Sequence, residues 1–159
     1  MMNADKLQFL KREFIPLLQR LDPTTAPAWG VMNVQQMIEH FTDAVHLASG
    51  RLQFPDVGSA ETRQKAHAFM MSDKPMRENT RNPYMSQKPE DGRRATVAAS
   101  VSDLQMALLE FFRLHEQDAT RRTPNPFFGN LDYAEQVQLL HKHALHHLRQ
   151  FGITPMEKA

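Results

Sequence analysis

The sequence has no cysteine, which removes disulfides, thiolate metal sites, iron–sulfur clusters and a cysteine nucleophile together. Any metal must then sit on histidine and carboxylate. An excess of charge of one sign is also lacking: 19 Lys and Arg oppose 18 Asp and Glu, a formal net charge of +1. So weak a field does not gather phosphates or anionic lipid, and neither nucleic acid nor a membrane surface is expected as a partner. No stretch approaches the ~18 uninterrupted apolar residues of a membrane span. The opening MMNADKLQFLKREF carries Asp5, Lys6, Lys11, Arg12 and Glu13 where a signal peptide needs an apolar core. A soluble, cytoplasmic protein is expected. Glycine is scarce, six in all, and none follows a strand-like run, so no loop is suited to cradling phosphate. No serine stands in the strand–turn–helix setting of G-x-S-x-G, and no nucleophile, base and orienting group line up. What the chain has in excess is histidine: eight residues, of which His141, His143, His146 and His147 fall close together.

At 159 residues the chain has the length of one domain, taken here as 1–159, with a core large enough to need no staples. Four stretches carry a helical period and none of comparable length alternates as a half-buried strand does, which predicts an all-α fold. The first runs from Asn3 through Leu7, Leu10, Phe14, Leu17, Leu18 and Leu21, with Pro16 expected to kink it. The second starts at Asn33, buries Val34, Met37, Ile38, Phe41, Val45 and Ala48, and stops at Gly50. The third is expected to begin near Ser100 or Ser102 and carries Leu104, Leu108, Phe111, Phe112 and His115. The fourth opens at Asp132, with Glu135 as the reciprocal capping partner, and ends at Phe151-Gly152. Between the second and third lies a long crossover, 51–99, broken by Pro55, Gly58, Pro75, Pro83 and Pro89, with one short helix from Ser59 to about Met71. It either covers an active-site mouth or is a plain connection over one end of the fold. A four-helix bundle with one long connection fits this pattern.

On the fourth helix Tyr133, Val137, Leu140, Ala144, Leu148 and Phe151 fill one arc roughly 80° wide at about 100° per residue. His147 sits at the edge of that arc, His143 about 40° further round, and Gln150 beside it, so this pair flanks the stripe while His141 and His146 point elsewhere. Histidines four apart stand one helical turn from each other and can reach one ion. Two ligands hold a metal poorly, and the second helix offers a third in His40, which flanks its apolar arc; His46 faces the opposite way. Three neutral imidazoles leave coordination positions open, as catalytic metal sites do, for a water, hydroxyl or thiol. The competing reading is that these are half-buried, hydrogen-bonded helix histidines.

Three segments, WGVMNVQQMIEHFTDAVHLASG from Trp29, NPFFGNLDYAEQ from Asn125 and KHALHHLRQFGI from Lys142, resemble the DinB-like superfamily of metal-binding four-helix bundles. In that family one histidine of the second helix and an H-x-x-x-H pair of the last hold the metal, with a glutamine three residues further on. The resemblance therefore implies His40, His143 and His147 as ligands, with Gln150 as the glutamine. It covers about a third of the chain. One departure is Asn125-Pro126-Phe127, where relatives often carry histidine-proline-phenylalanine. The resemblance further implies a divalent transition metal, zinc or nickel, and leaves room for a small thiol cofactor, since some members are thiol-dependent transferases or isomerases; many form homodimers.

Three functions follow as expectations. One is a metal-dependent enzyme acting on a small molecule, a hydrolase or thiol S-transferase. Another is a non-catalytic metal-binding or stress-related protein, and the last a helical interaction module without an ion. Other residues carry bland and functional readings side by side. Trp29 is a staple or a pocket wall. Phe127 and Phe128 plug the end of the fold or touch a ligand. Met70, Met71 and Met76 are packing filler or an apolar mouth. Gln36 is solvated or supports a ligand. Glu39 points about 100° from His40 and is a poor catalytic base. His115 belongs to the core or supports the site. Arg93-Arg94 and Arg121-Arg122 are solvated pairs or an anion contact.

Overall fold

Capping explains where each helix starts. In the computed structural model, which describes residues 1–79 and 92–155, the first helical stretch opens on Asn3, whose side chain accepts from Lys6 N–H. It comprises α1 (Ala4–Gln8), a π-helical turn (Phe9–Glu13) and α2 (Phe14–Arg20). The π turn is where the expected kink at Pro16 is absorbed: Phe14 N–H donates to the Phe9 carbonyl, five residues back. Pro16 has no amide for the Arg12 carbonyl and crowds it, so the ladder widens just upstream.

The helix α3 (Val34–Ser49) begins with a reciprocal capping box between Asn33 and Gln36 and ends on Gly50 in the left-handed conformation. Gln36 is thus engaged at the helix start, where sequence alone left it solvated or beside the site. The short crossover helix is α4 (Ala60–Met71), capped by Ser59. Pro83 and Pro89 of the crossover lie outside the described residues. The long α5 (Val97–Gln117) starts earlier than expected, because Thr96 and not a serine supplies the cap, accepting from Ala99 N–H. Ser100 is fully buried inside the helix and donates to Glu39 Oε1 at 3.3 Å.

The fold is mostly helical, as expected, and adds two short strands that the sequence reading did not anticipate. β1 (Thr123–Asn125) and β2 (Gly129–Leu131) pair antiparallel, Thr123 opposite Leu131. Three residues are too few to show a period of two, and the pair is recognised by its anchors instead: Thr123 Oγ1 donates to the Ala48 carbonyl at 2.9 Å and receives Gln136 Nε2 at 2.7 Å. Asn125 is buried, and its Oδ1 accepts from the backbone N–H groups of Phe127 and Phe128. At the position where relatives often carry histidine, this chain therefore has a turn-forming side chain. α6 (Tyr133–Gln150) follows, opened by the capping box of Asp132 and Glu135.

Packing joins α3 to α5 along their length and α2 to α5, while α6 lies against α1, the π turn and α3. The main core takes Phe14 and Leu18 from α2, Met37, Ile38, Phe41 and Val45 from α3, Leu104 and Phe111 from α5, and Leu140, Ala144 and Leu148 from α6. Phe14 meets Phe41 edge to face at 4.9 Å between centroids. A separate small cluster of Met70, Leu131 and Leu139, with Met76 and Phe128 against it, seals α4 onto α6. Met70 and Met76 therefore fill a seam and do not line an apolar mouth. His67 of α4 and Arg122 both reach Glu135, so the capping carboxylate of α6 also gathers the crossover helix and the hairpin. No helix among the described residues is long and apolar enough to cross a membrane.

Phe14 of α2 and Phe41 of α3 are both fully buried where the two helices meet. Phe14→Ala is expected to lower unfolding free energy by about 3–5 kcal/mol, read as a shift of the urea midpoint at unchanged slope.

Candidate metal centre

The packing of α3 against α6 brings together residues more than 100 positions apart in sequence. Phe41 is buried at this seam and sets its floor: its ring centroid lies 4.9 Å from that of His143 and 6.4 Å from that of His147. Above it His40 reaches across from α3. Its Nε2 lies 3.0 Å from His143 Nε2, which in turn lies 2.7 Å from His147 Nε2. These three residues form a group able to hold a metal ion. The three positions named from the sequence are thus brought to one point, His147 buried and His40 and His143 half-buried.

Gln150 fixes how His147 presents itself. Its Nε2 donates to the Trp29 carbonyl at 3.0 Å, which leaves Oε1 facing His147 Nδ1 at 2.8 Å. An amide oxygen only accepts, so Nδ1 carries the proton and Nε2 is left with its lone pair towards the cluster. The loop before α3 is built around this contact. Ala28 N–H donates to the Gln150 carbonyl at 2.7 Å. Gly30 adopts φ +76°, and a Cβ there would stand 3.1 Å from Gln150 Nε2, so a side chain would crowd the amide as well as strain the turn. Trp29 serves as a staple through its backbone, while its ring rests 5.3 Å from that of His146.

Burial pushes the His40 imidazole down to about 4, and burial together with the neighbouring imidazoles holds His143 and His147 well below the usual histidine range. All three are therefore neutral near pH 7. The single Nε2 of His143 carries at most one proton, enough for a directed bond to one neighbour and not to both. A cation among the three nitrogens accepts every lone pair at once. With metal–nitrogen bonds of about 2.0–2.1 Å, imidazole nitrogens on one ion stand about 3 Å apart, the spacing found here. The donor set fits a divalent transition ion.

The other histidines serve elsewhere. His115 is buried in the core, stacked on Tyr133 at 5.0 Å. His141 packs edge-on to Phe9 at 5.2 Å, and His46 faces a groove shared with Arg51 and Asp103. Arg93 pairs with Asp43 and Arg94 with Asp103, Arg121 donates to the Ser49 carbonyl, and Arg122 to the Asn130 carbonyl. These basic residues are tied into the fold. Glu39, dismissed as a base, proves to be a buried acceptor for Arg93 N–H and Arg94 N–H. It lies on the side of α3 away from the apolar arc, so helical spacing gave no signal of its burial, which the crossover backbone supplies.

A family model for the DinB superfamily matches residues 7–151. No curated protein and no solved structure matches the chain.

Because the folded state keeps these imidazoles neutral while the unfolded chain protonates them below its ordinary value of 6.5, the unfolded state binds more protons as pH falls. Metal-free protein is therefore expected to be at full stability above pH ~6.5 and to lose about 1.4 kcal/mol per pH unit through His40 between there and about pH 4, with His143 and His147 acting in the same direction. Urea unfolding in steps across this range, wild type beside His40→Ala, checks the slope.

Proposed function

Because the chain belongs to the DinB superfamily, whose members are often metal-binding, we propose that it is a metal-dependent enzyme built on a four-helix bundle. In this reading the α1–α2 rod, α3, α5 and α6 are the four helices, with His40, His143 and His147 holding one zinc or nickel ion. The convergence of three neutral Nε2 atoms from two helices carries the reading. When bound, such an ion supplies a Lewis acid that makes a water or a small thiol a better nucleophile at neutral pH. Hydrolysis or thiol transfer on a small molecule is the chemistry this supports, in a cytoplasmic protein that works as a homodimer.

The chain's own residues have defined parts. Gln150 keeps the His147 proton on Nδ1, so the nitrogen facing the cluster is always a donor of electrons. Phe41 backs the imidazoles with apolar surface and limits how they turn. Burial keeps protons from competing for the nitrogens near pH 7. Three histidines leave coordination positions for substrate, which a closed four-ligand site would not.

A second reading, a non-catalytic metal-binding or stress-related protein, draws on one observation. Glu39, the carboxylate next to His40 in sequence, is fully engaged with Arg93, Arg94 and Ser100 and does not supply a base. A water or buffer molecule on the ion in a crystal structure favours the enzyme, and a fourth protein ligand favours the binder.

Metal analysis of untagged protein is expected to find stoichiometric zinc or nickel, and His143→Ala to lose it; retention by the variant overturns the assignment. Gln150→Leu keeps all three ligands and is expected to weaken metal affinity by about 10–100-fold, measured by competition with a chelator.

A further inference from the structure

His40 and His143 are each preceded in sequence by a buried charged residue, and both charges are engaged with the crossover. On α6, Lys142 is 7% exposed, and its Nζ donates to the carbonyls of Ser72, at 2.7 Å, and Lys74. The same ammonium lies 5.0 Å from the centre of the Phe69 ring. One turn earlier, Gln138 Nε2 donates to the Met70 carbonyl at 3.0 Å. On α3, Glu39 is 8% exposed and accepts from Arg93 N–H at 2.7 Å and Arg94 N–H at 3.1 Å. One turn earlier again, Gln35 Nε2 donates to the Arg94 carbonyl at 2.6 Å.

The two flanks of the crossover are thus bonded through their backbones to the very turns that carry metal ligands. Adjacent residues on a helix project about 100° apart. A turn that aims its imidazole at the facing helix therefore aims the preceding side chain sideways, where the crossover passes. An ammonium on carbonyls and a carboxylate on amides are charge-assisted bonds, stronger than neutral ones, and neither charge can be released from its buried position cheaply. Each bond restricts the helical turn beneath it, and with it the neighbouring imidazole.

We propose that Lys142 and Glu39 are positioning residues of the metal centre. They fasten the crossover flanks to the His143 and His40 turns, so that retention of the ion and docking of the flanks form one coupled equilibrium. This rests on the metal reading of the three histidines. Coupling of this kind is reciprocal: flanks that hold the ligands in place are themselves held down by the ion, by the same factor.

Wild type, Lys142→Met and Glu39→Gln are loaded with zinc and mixed with excess chelator, and parallel samples with and without zinc are digested with trypsin. Ion loss is expected to be about 10-fold faster in each variant. Zinc is expected to slow cleavage after Arg77 and Arg94 strongly in wild type and weakly in the variants. Lys142→Arg, which keeps a cationic donor, restores slow loss. Leu108→Ala, which opens a cavity on the buried face of α5, is expected to lower the unfolding temperature and to leave the rate of ion loss unchanged. Loss at the wild-type rate in both variants overturns the proposal, and so does equal acceleration in Leu108→Ala. If Lys142→Met does not fold, Glu39→Gln decides the matter alone. Wild type that takes up no zinc defeats the metal reading itself, and with it this inference; wild type and variants that hold zinc equally defeat this inference only.

Discussion

Three imidazole nitrogens crowd one point where α3 packs on α6, and the one proton that His143 Nε2 can carry makes a directed bond to only one neighbour. Water would ordinarily relieve such a contact, yet His147 is buried and the other two are half-covered. Protonation would relieve it too, and burial opposes that as well. The cluster is therefore tuned against the proton and in favour of a cation that accepts several nitrogens at once. The aromatic floor of Phe41 and the amide of Gln150 make sense as parts of this tuning, because each removes a way for a ring to turn aside.

The rest of the chain supplies the rigidity that this requires. Both helices that carry histidines open on reciprocal capping boxes, Asn33 with Gln36 and Asp132 with Glu135, so neither frays at its start. The Phe14–Phe41 contact ties the first helical rod to the floor of the site. Misfit around Pro16 is confined to one π-helical turn and does not break the rod that packs on α6. Elements remote from the histidines thus fix the distance across the seam.

Much of this was legible in the sequence, because helical spacing sorts side chains onto faces before any contact is known. The wheel picked His143 and His147 out of four clustered histidines and set aside His141, His146 and His46, and the resemblance to a metal-binding family pointed to the same three ligands. The apolar arc of α3 was likewise readable: Val34, Met37, Ile38, Phe41, Val45 and Ala48 are all buried. Roles stayed open or unremarked where a distant partner decides them: Glu39, set aside as a base, is held by amides more than 50 residues away, and Thr123 by the end of α3. Gln36 was left open although its partner is the local cap at Asn33. The hairpin was missed because strands of three residues carry no period. The start of α5 was placed at Ser100 or Ser102 because either can cap a helix; both lie inside it, Ser100 fully buried, and Thr96 supplies the cap.

Glu135 concentrates an unusual number of duties in one carboxylate. It closes the first turn of α6, receives His67 from α4, and meets Arg122 beside the hairpin. Three parts of the chain are thereby registered against each other through a side chain two helical turns upstream of His143. Its loss would remove the reciprocal half of the α6 cap and release His67 and Arg122 together, loosening how the crossover helix and the hairpin are held against α6. A change at a place remote from the cluster would then be felt first as imidazoles out of alignment.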